Sequence, residues 1–222
     1  MPARSPVVRT RLLAATCLAF FLVGGLGRVT LGDQLTAWDQ GVLERIALIR
    51  EPSVTAWMKF LSWLGGGWRP ILIGLLITAA LAARRERTAA RCYLVTALSG
   101  WGLNLLLKLI FQRPRPALDL RLDAAGGYSY PSGHSMLAPI VFGLGAFLLT
   151  RYARRPVAWA WLTAGLVLAL GIAASRMYLG VHYPSDVVGA LLGGVAWSAL
   201  GLAVYSPLDR EPPALPESVP AK

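Results

Sequence analysis

Three short stretches of this chain gather the residue types that can bind and cleave a phosphate. The first runs from Lys108 to Arg115-Pro116, the second is Pro131-Ser132-Gly133-His134, and the third extends from Ser175-Arg176 through His182 to Asp186. Each abuts a long apolar run, where an ionisable side chain is expensive unless something uses it. His182 and Asp186 stand four apart across Pro184, so on a helical turn the carboxylate reaches back to one imidazole nitrogen. That contact would fix the tautomer and free the other nitrogen to attack. His182 is therefore the candidate nucleophile, and His134 is left to donate a proton to the leaving group. A metal pair is the competing use of His182 and Asp186. The chain has only two histidines and no acidic cluster around them, which argues against it, and the reading requires no metal or cofactor.

The cations suit the same chemistry. Lys108 and Arg115 are two helical turns apart, and Pro114 is expected to take the backbone out of the helix before Arg115, so both can face one vestibule. Arginine grips phosphate oxygens with a fork and lysine acts as a compact charge; the plainer alternative is that both reach for lipid headgroups. Arg176 adds a third cation at the end of an apolar run. Pro131 suits the first helical position, which would leave the amides of Ser132, Gly133 and His134 unpaired for an anion, with Gly133 admitting it close to the backbone. An ordinary Pro-Ser helix start is the alternative. Arg113 has no assigned role.

The elements that must hold these residues are membrane elements. Of 222 residues, 55% are hydrophobic and 15% charged, whereas soluble domains carry about 25% charged residues. Several apolar runs approach or exceed the roughly 20 residues that cross a bilayer. We read one all-α polytopic domain over residues 1–206, a bundle of about six transmembrane helices, followed by a disordered Pro-rich tail at 207–222. The expected spans are 12–31, 54–83 with a break at Gly65-Gly66-Gly67, 89–111, 131–150, 157–176 and 184–205. The segment 33–51 has partial helical periodicity and is expected to lie amphipathic on the outer surface, as a connector or as a lid over the substrate. Gly189, Gly193 and Gly194 read as a close-packing face.

A net charge of +11 suggests nucleic acid, but the basic residues are placed otherwise. Arg84, Arg85, Arg87 and Arg91 form one cluster and Arg151, Arg154 and Arg155 another, both in short connections between apolar runs, as the positive-inside bias places them. No basic face with interleaved aromatics appears. Both termini are then cytoplasmic and the three motifs outside. Cys17 and Cys92 read as small buried apolar residues, not a disulfide.

In order and spacing, the three motifs resemble those of the type 2 phosphatidic acid phosphatase (lipid phosphate phosphatase) superfamily, in its bacterial integral-membrane branch. The likeness covers roughly residues 108–186. It implies that His182 attacks phosphorus to form a phosphohistidine, Asp186 orients His182, His134 protonates the leaving oxygen, and water completes the hydrolysis without metal. It also implies that Lys108, Arg115, Ser132, Gly133 and Arg176 hold the phosphate. Soluble acid phosphatases and vanadate haloperoxidases carry similar motifs, so it is the hydrophobicity that points to a lipid. The expected substrate is phosphatidic acid, phosphatidylglycerophosphate or undecaprenyl pyrophosphate at the outer face of a bacterial inner membrane. A phosphotransferase on the same scaffold, or a non-catalytic lipid-binding or transport protein, are the alternatives.

Overall fold

Prolines open four of the helices, because a residue without an amide donor is tolerated in the first turn, where no carbonyl waits for it. In chain order the helices are α1 (Gly32–Leu48), α2 (Pro52–Leu64), α3 (Arg69–Ala83), α4 (Arg87–Phe111), α5 (Gly133–Thr150), α6 (Arg155–Tyr178) and α7 (Pro184–Tyr205). The structure is a computed structural model that describes residues 32–205, together with Arg11, Ala15 and Leu18, which are helical. Apart from Ala15 and Leu18, the span expected at 12–31 lies outside the described residues, as do Cys17 and the tail at 207–222.

Helices α4, α5, α6 and α7 are each long and apolar enough to cross a membrane. The pair α2 and α3 is long and apolar enough when taken together, as a broken span or a re-entrant loop, and is bent by 57° at the glycine triplet, where its sequence suggested a break. The outward faces are apolar: α4 exposes Leu105, Leu106, Leu109 and Ile110, and α6 exposes Leu166, Val167 and Leu170. Exposed apolar surface on this scale has its natural solvent in lipid, and the chain is an integral membrane protein.

Helix α5 is the centre of the bundle and packs on both α6 and α7. A π-helical turn at Pro139–Leu144 lies within it; Pro139 cannot donate an interior hydrogen bond, and the wider turn absorbs the defect. The small-residue face of α7 does what its sequence indicated. A side chain at Gly194 would come within 2.3 Å of the Met136 carbonyl oxygen, and one at Gly189 within 2.7 Å of the Tyr130 hydroxyl. Cys92 is buried among Leu81, Tyr93 and Leu148, as expected.

The 33–51 segment is largely helical, as its partial periodicity suggested. It forms helix α1, which packs on α6 and α7 and buries Asp39 and Leu43 completely. The two share a face one turn apart, so an acidic residue has been taken inside, not laid on a surface. At the opposite end of the bundle the two basic turns adjoin, with the Arg84 guanidinium 5.7 Å from the Tyr152 ring. Arg87 and Lys108, near the two ends of α4, are separated by roughly 30 Å, about one hydrocarbon thickness.

Candidate active site

His182 sits in the short turn between α6 and α7. That turn can form because Gly180 takes a positive φ of 70°, and because any side chain there would lie 2.0 Å from the Leu120 carbonyl oxygen. The loop 117–130 is thereby pressed onto the turn, and the Leu122 amide donates to the Leu179 carbonyl at 2.9 Å. Arg50, just after α1, fastens both with hydrogen bonds to the carbonyls of Tyr178 (3.0 Å) and Leu120 (2.8 Å).

The imidazole of His182 is 2% exposed. Its Nε2 lies 3.1 Å from Arg115 Nη1, and its Nδ1 lies 3.7 Å from Asp186 Oδ2. Ser129 fills the gap: its hydroxyl donates to Asp186 Oδ2 at 2.5 Å and stands 3.4 Å from Nδ1. The carboxylate therefore lies behind the ring, on the side the four-residue spacing requires, and Nε2 faces the cations. Burial pushes the His182 pKa down to about 4, against the hydrogen bond and charge of Asp186, which raise it. The ring is thus neutral at pH 7, with a lone pair available for attack.

Arg115 has left the helix, as Pro114 led us to expect. Helix α4 stops at Phe111, Gln112 turns left-handed at φ 43°, and its amide closes on the Lys108 carbonyl at 3.0 Å. Arg115 then donates to the carbonyls of Gly126 (2.8 Å), Gly127 (3.0 Å) and Val181 (2.8 Å). Among the described residues it makes no direct ion pair with a carboxylate, and Asp186 acts on its charge only at longer range. Lys108 Nζ donates to the Tyr128 carbonyl at 2.7 Å and lies within electrostatic reach of Arg115, Arg176 and Asp186.

A cavity of about 590 Å³ opens beside this group, and His134, Arg176, Ser62, Asp123, Lys59 and Arg69 are among the residues that line it. Arg176 is 4% exposed; it bonds to the Ser62 hydroxyl and lies 3.4 Å from Asp123, while its Nε has no partner among the described residues. The glycine triplet gives His134 its seat. A side chain at Gly66 would lie 2.6 Å from His134 Nε2, one at Gly65 would lie 3.3 Å from its Cδ2, and the ring bonds to the Ser62 backbone. The triplet is the break its sequence suggested and a close helix contact as well.

The second motif is shifted by a residue or two from its expected register. Helix α5 begins at Gly133, with Ser132 as its N-cap and Pro131 before it. Serine takes the cap because its hydroxyl can accept from the first turn, here from the amide (3.5 Å) and hydroxyl (2.9 Å) of Ser135. The Ser132 amide, expected to be open to an anion, donates to the Asp186 carbonyl at 3.3 Å. The amides of Gly133 and His134 are in the first turn, where the helix offers no acceptor.

All eight site residues expected from the sequence therefore meet at one end of the bundle. Asp39, Ser62, Asp123 and Ser129 were not anticipated. Only Asp39 carried a signal, an acidic residue one turn from Leu43 on an otherwise apolar face; the others are loop or mid-helix polar residues whose partners are remote in sequence.

This architecture is shared with known proteins. The family model described as PAP2 superfamily matches residues 89–210. Phosphatidylglycerophosphatase B of Bacillus subtilis is 27% identical over 179 residues, 79% of this chain and 86% of that protein. Undecaprenyl-diphosphatase of Sulfolobus acidocaldarius is 37% identical over 182 residues, 79% of this chain and 82% of that protein. The crystal structure of a transmembrane PAP2-type phosphatidylglycerolphosphate phosphatase from Bacillus subtilis superposes with a TM-score of 0.76 at 26% identity, covering 85% of this chain and 93% of that one.

Proposed function

This chain belongs to the PAP2 superfamily and is a membrane phosphatase, and from that premise we propose that it hydrolyses a lipid phosphate monoester or diphosphate at the outer face of the membrane through a phosphohistidine. The observation that carries the reading is the placement of His182, with Nε2 toward Arg115 and the Asp186 carboxylate behind Nδ1. In the first step His182 Nε2 forms a bond to phosphorus, the bond from phosphorus to the leaving oxygen breaks, and His134 supplies the proton which that oxygen takes up. A water then attacks the phosphohistidine, returns a proton to His134 and releases inorganic phosphate. Lys108, Arg115 and Arg176 would neutralise the charge building on the three phosphoryl oxygens, and the Gly133 and His134 amides would donate to them.

Two features support a lipid substrate. The cavity shares Gly67 with an apolar groove of about 180 Å³ between α3 and α4, lined by Ile71, Leu75, Leu98 and Trp101, where a tail could lie. The relatives named above act, by their names, on phosphatidylglycerophosphate and undecaprenyl diphosphate; phosphatidic acid completes the candidate set. The outer-face assignment is supported by the adjoining Arg84 and Tyr152 turns at the far end, which carry the basic residues that favour the cytoplasmic side.

The test is phosphate release in detergent from these three lipids. Turnover should persist in EDTA and be inhibited by vanadate. His182→Ala should lose at least about 10⁴-fold in turnover, on the scale of other nucleophile deletions, while keeping its unfolding midpoint. Turnover retained in that variant refutes the assignment.

A further inference from the structure

Arg113 and helix α1 have no part in the chemistry above, yet they meet behind it. The Arg113 side chain is fully buried between two carboxylates, with Nη2 2.7 Å from Asp39 Oδ2 and Nη1 2.5 Å from Asp186 Oδ1. Ser185 closes the ring. Its hydroxyl accepts from Arg113 Nη1 at 2.8 Å and donates to Asp39 Oδ2 at 2.5 Å, and its amide donates to Asp39 Oδ1 at 2.9 Å. The Tyr183 ring covers the guanidinium, 4.0 Å from centroid to Cζ. None of Asp39, Arg113 and Ser185 lines the cavity. Their side chains reach the reaction through Asp186, and the Arg113 carbonyl also holds the Ser129 amide at 2.7 Å.

We propose that Asp39 and Arg113 are positioning residues for the phosphoryl-transfer step, fixing Asp186 in place and setting the charge it presents to His182. The inference rests on the reading of His182 as nucleophile. When Nε2 bonds to phosphorus, the ring keeps its proton on Nδ1 and becomes cationic, so it needs a negative neighbour on that side. Arg113 alone would hold Asp186 rigidly but cancel its charge. Asp39 restores it: two carboxylates against one guanidinium leave the buried cluster with one negative charge beside Nδ1. Out of contact with water, that charge is screened less than it would be in solvent. Helix α1 is thus the element that keeps the Asp186 carboxylate both fixed and effectively anionic.

Asp39→Asn keeps the shape and one acceptor oxygen but removes the charge. It is to be measured on the full chain in detergent micelles, with phosphatidic acid and undecaprenyl pyrophosphate as probes, taking whichever the wild type turns over. The expected result is a fall in kcat of about ten- to a hundredfold, the range that outer partners of a catalytic ligand carry elsewhere, with KM unchanged within about twofold. Arg113→Gln should abolish most of the further effect of Asp39→Asn, because each acts through the other, and Asp39→Glu should recover part of kcat. A wild-type kcat in Asp39→Asn, additive losses in the double variant, or a parallel change in kcat and KM with a lowered unfolding midpoint would each overturn the proposal. If Asp39→Asn does not fold, Ser185→Ala and Arg113→Lys replace it, with the same expected split between kcat and KM and the same contrary result. Turnover in His182→Ala refutes the nucleophile assignment; strict need for His182 with indifference to Asp39 refutes this inference alone.

Discussion

Arg113 and Arg115 are two residues apart in an Arg-Pro-Arg-Pro run, and the fold treats them in opposite ways. Arg113 is 1% exposed and clamped by two carboxylates. Arg115 is half-buried and bonded only to carbonyl oxygens and to the His182 ring. Each precedes a proline, which favours extended or polyproline backbone, and at three residues per turn side chains two apart diverge by roughly 120°. One arginine is thus turned inward toward α1 and α7 and the other toward the phosphate pocket. What suits an arginine to an incoming anion is the lack of a resident one: Arg113 has its charge consumed by structure, and Arg115 keeps its charge for substrate.

The contrast can be broken by exchanging the two effects. Arg113→Met would leave Asp39 and Asp186 as buried carboxylates without a counter-charge and should destabilise the protein by about 3–5 kcal/mol, read as a lowered midpoint of denaturation in detergent. A loss in Arg113→Met no larger than in Arg115→Met would refute the distinction. Arg115→Met should cost less, about 1–2 kcal/mol of stability, since the Gly126 and Gly127 carbonyls are exposed and can turn to water and only the buried Val181 carbonyl loses its donor. In activity it should lower kcat/KM by about 10²- to 10³-fold, as the removal of a preorganised donor to a developing oxyanion does.

A smaller effect is expected where the pocket depends on space alone. Gly66→Ala would place a methyl 2.6 Å from His134 Nε2, and the ring must move. A displacement of that order should lower kcat about ten- to a hundredfold, with little change in stability; an unaltered kcat would show that the seat of His134 is irrelevant. The smallest effect is the response to acid. Because burial holds the His182 pKa near 4, the neutral ring that carries the lone pair persists as pH falls and is lost only as pH approaches that value. An ordinary histidine would lose roughly thirtyfold in its neutral fraction by pH 5, whereas this ring should lose less than about twofold by the same arithmetic. An acid limb of kcat/KM at pH 6–7 that vanishes in no other variant would contradict the burial of His182.

Much of the candidate site was legible because its chemistry is written in residue types at short spacing. His182 and Asp186 are one turn apart, Arg115 follows a proline, and Ser132-Gly133-His134 opens a helix; each is a local relation. The Ser132 register was missed by the same logic, since proline at the first helical position and serine at the cap compete for the start of α5, and serine prevailed. Asp39, Ser62 and Asp123 were not legible as partners. Asp39 meets Arg113 74 residues later, and Ser62 meets Arg176 114 residues later, and no periodicity links such positions. The family match begins at residue 89, so Asp39 and the seat of His134 both lie ahead of it.

By itself the sequence determined that this chain spans a membrane as helices and carries the groups for phosphoryl transfer, because hydrophobic length, proline placement and the His182–Asp186 interval are properties of neighbouring residues. Only the tertiary structure decided which charges remain available. Burial beside a carboxylate spends the charge of Arg113, and the lack of one preserves that of Arg115, and both outcomes depend on which distant helix packs against each residue.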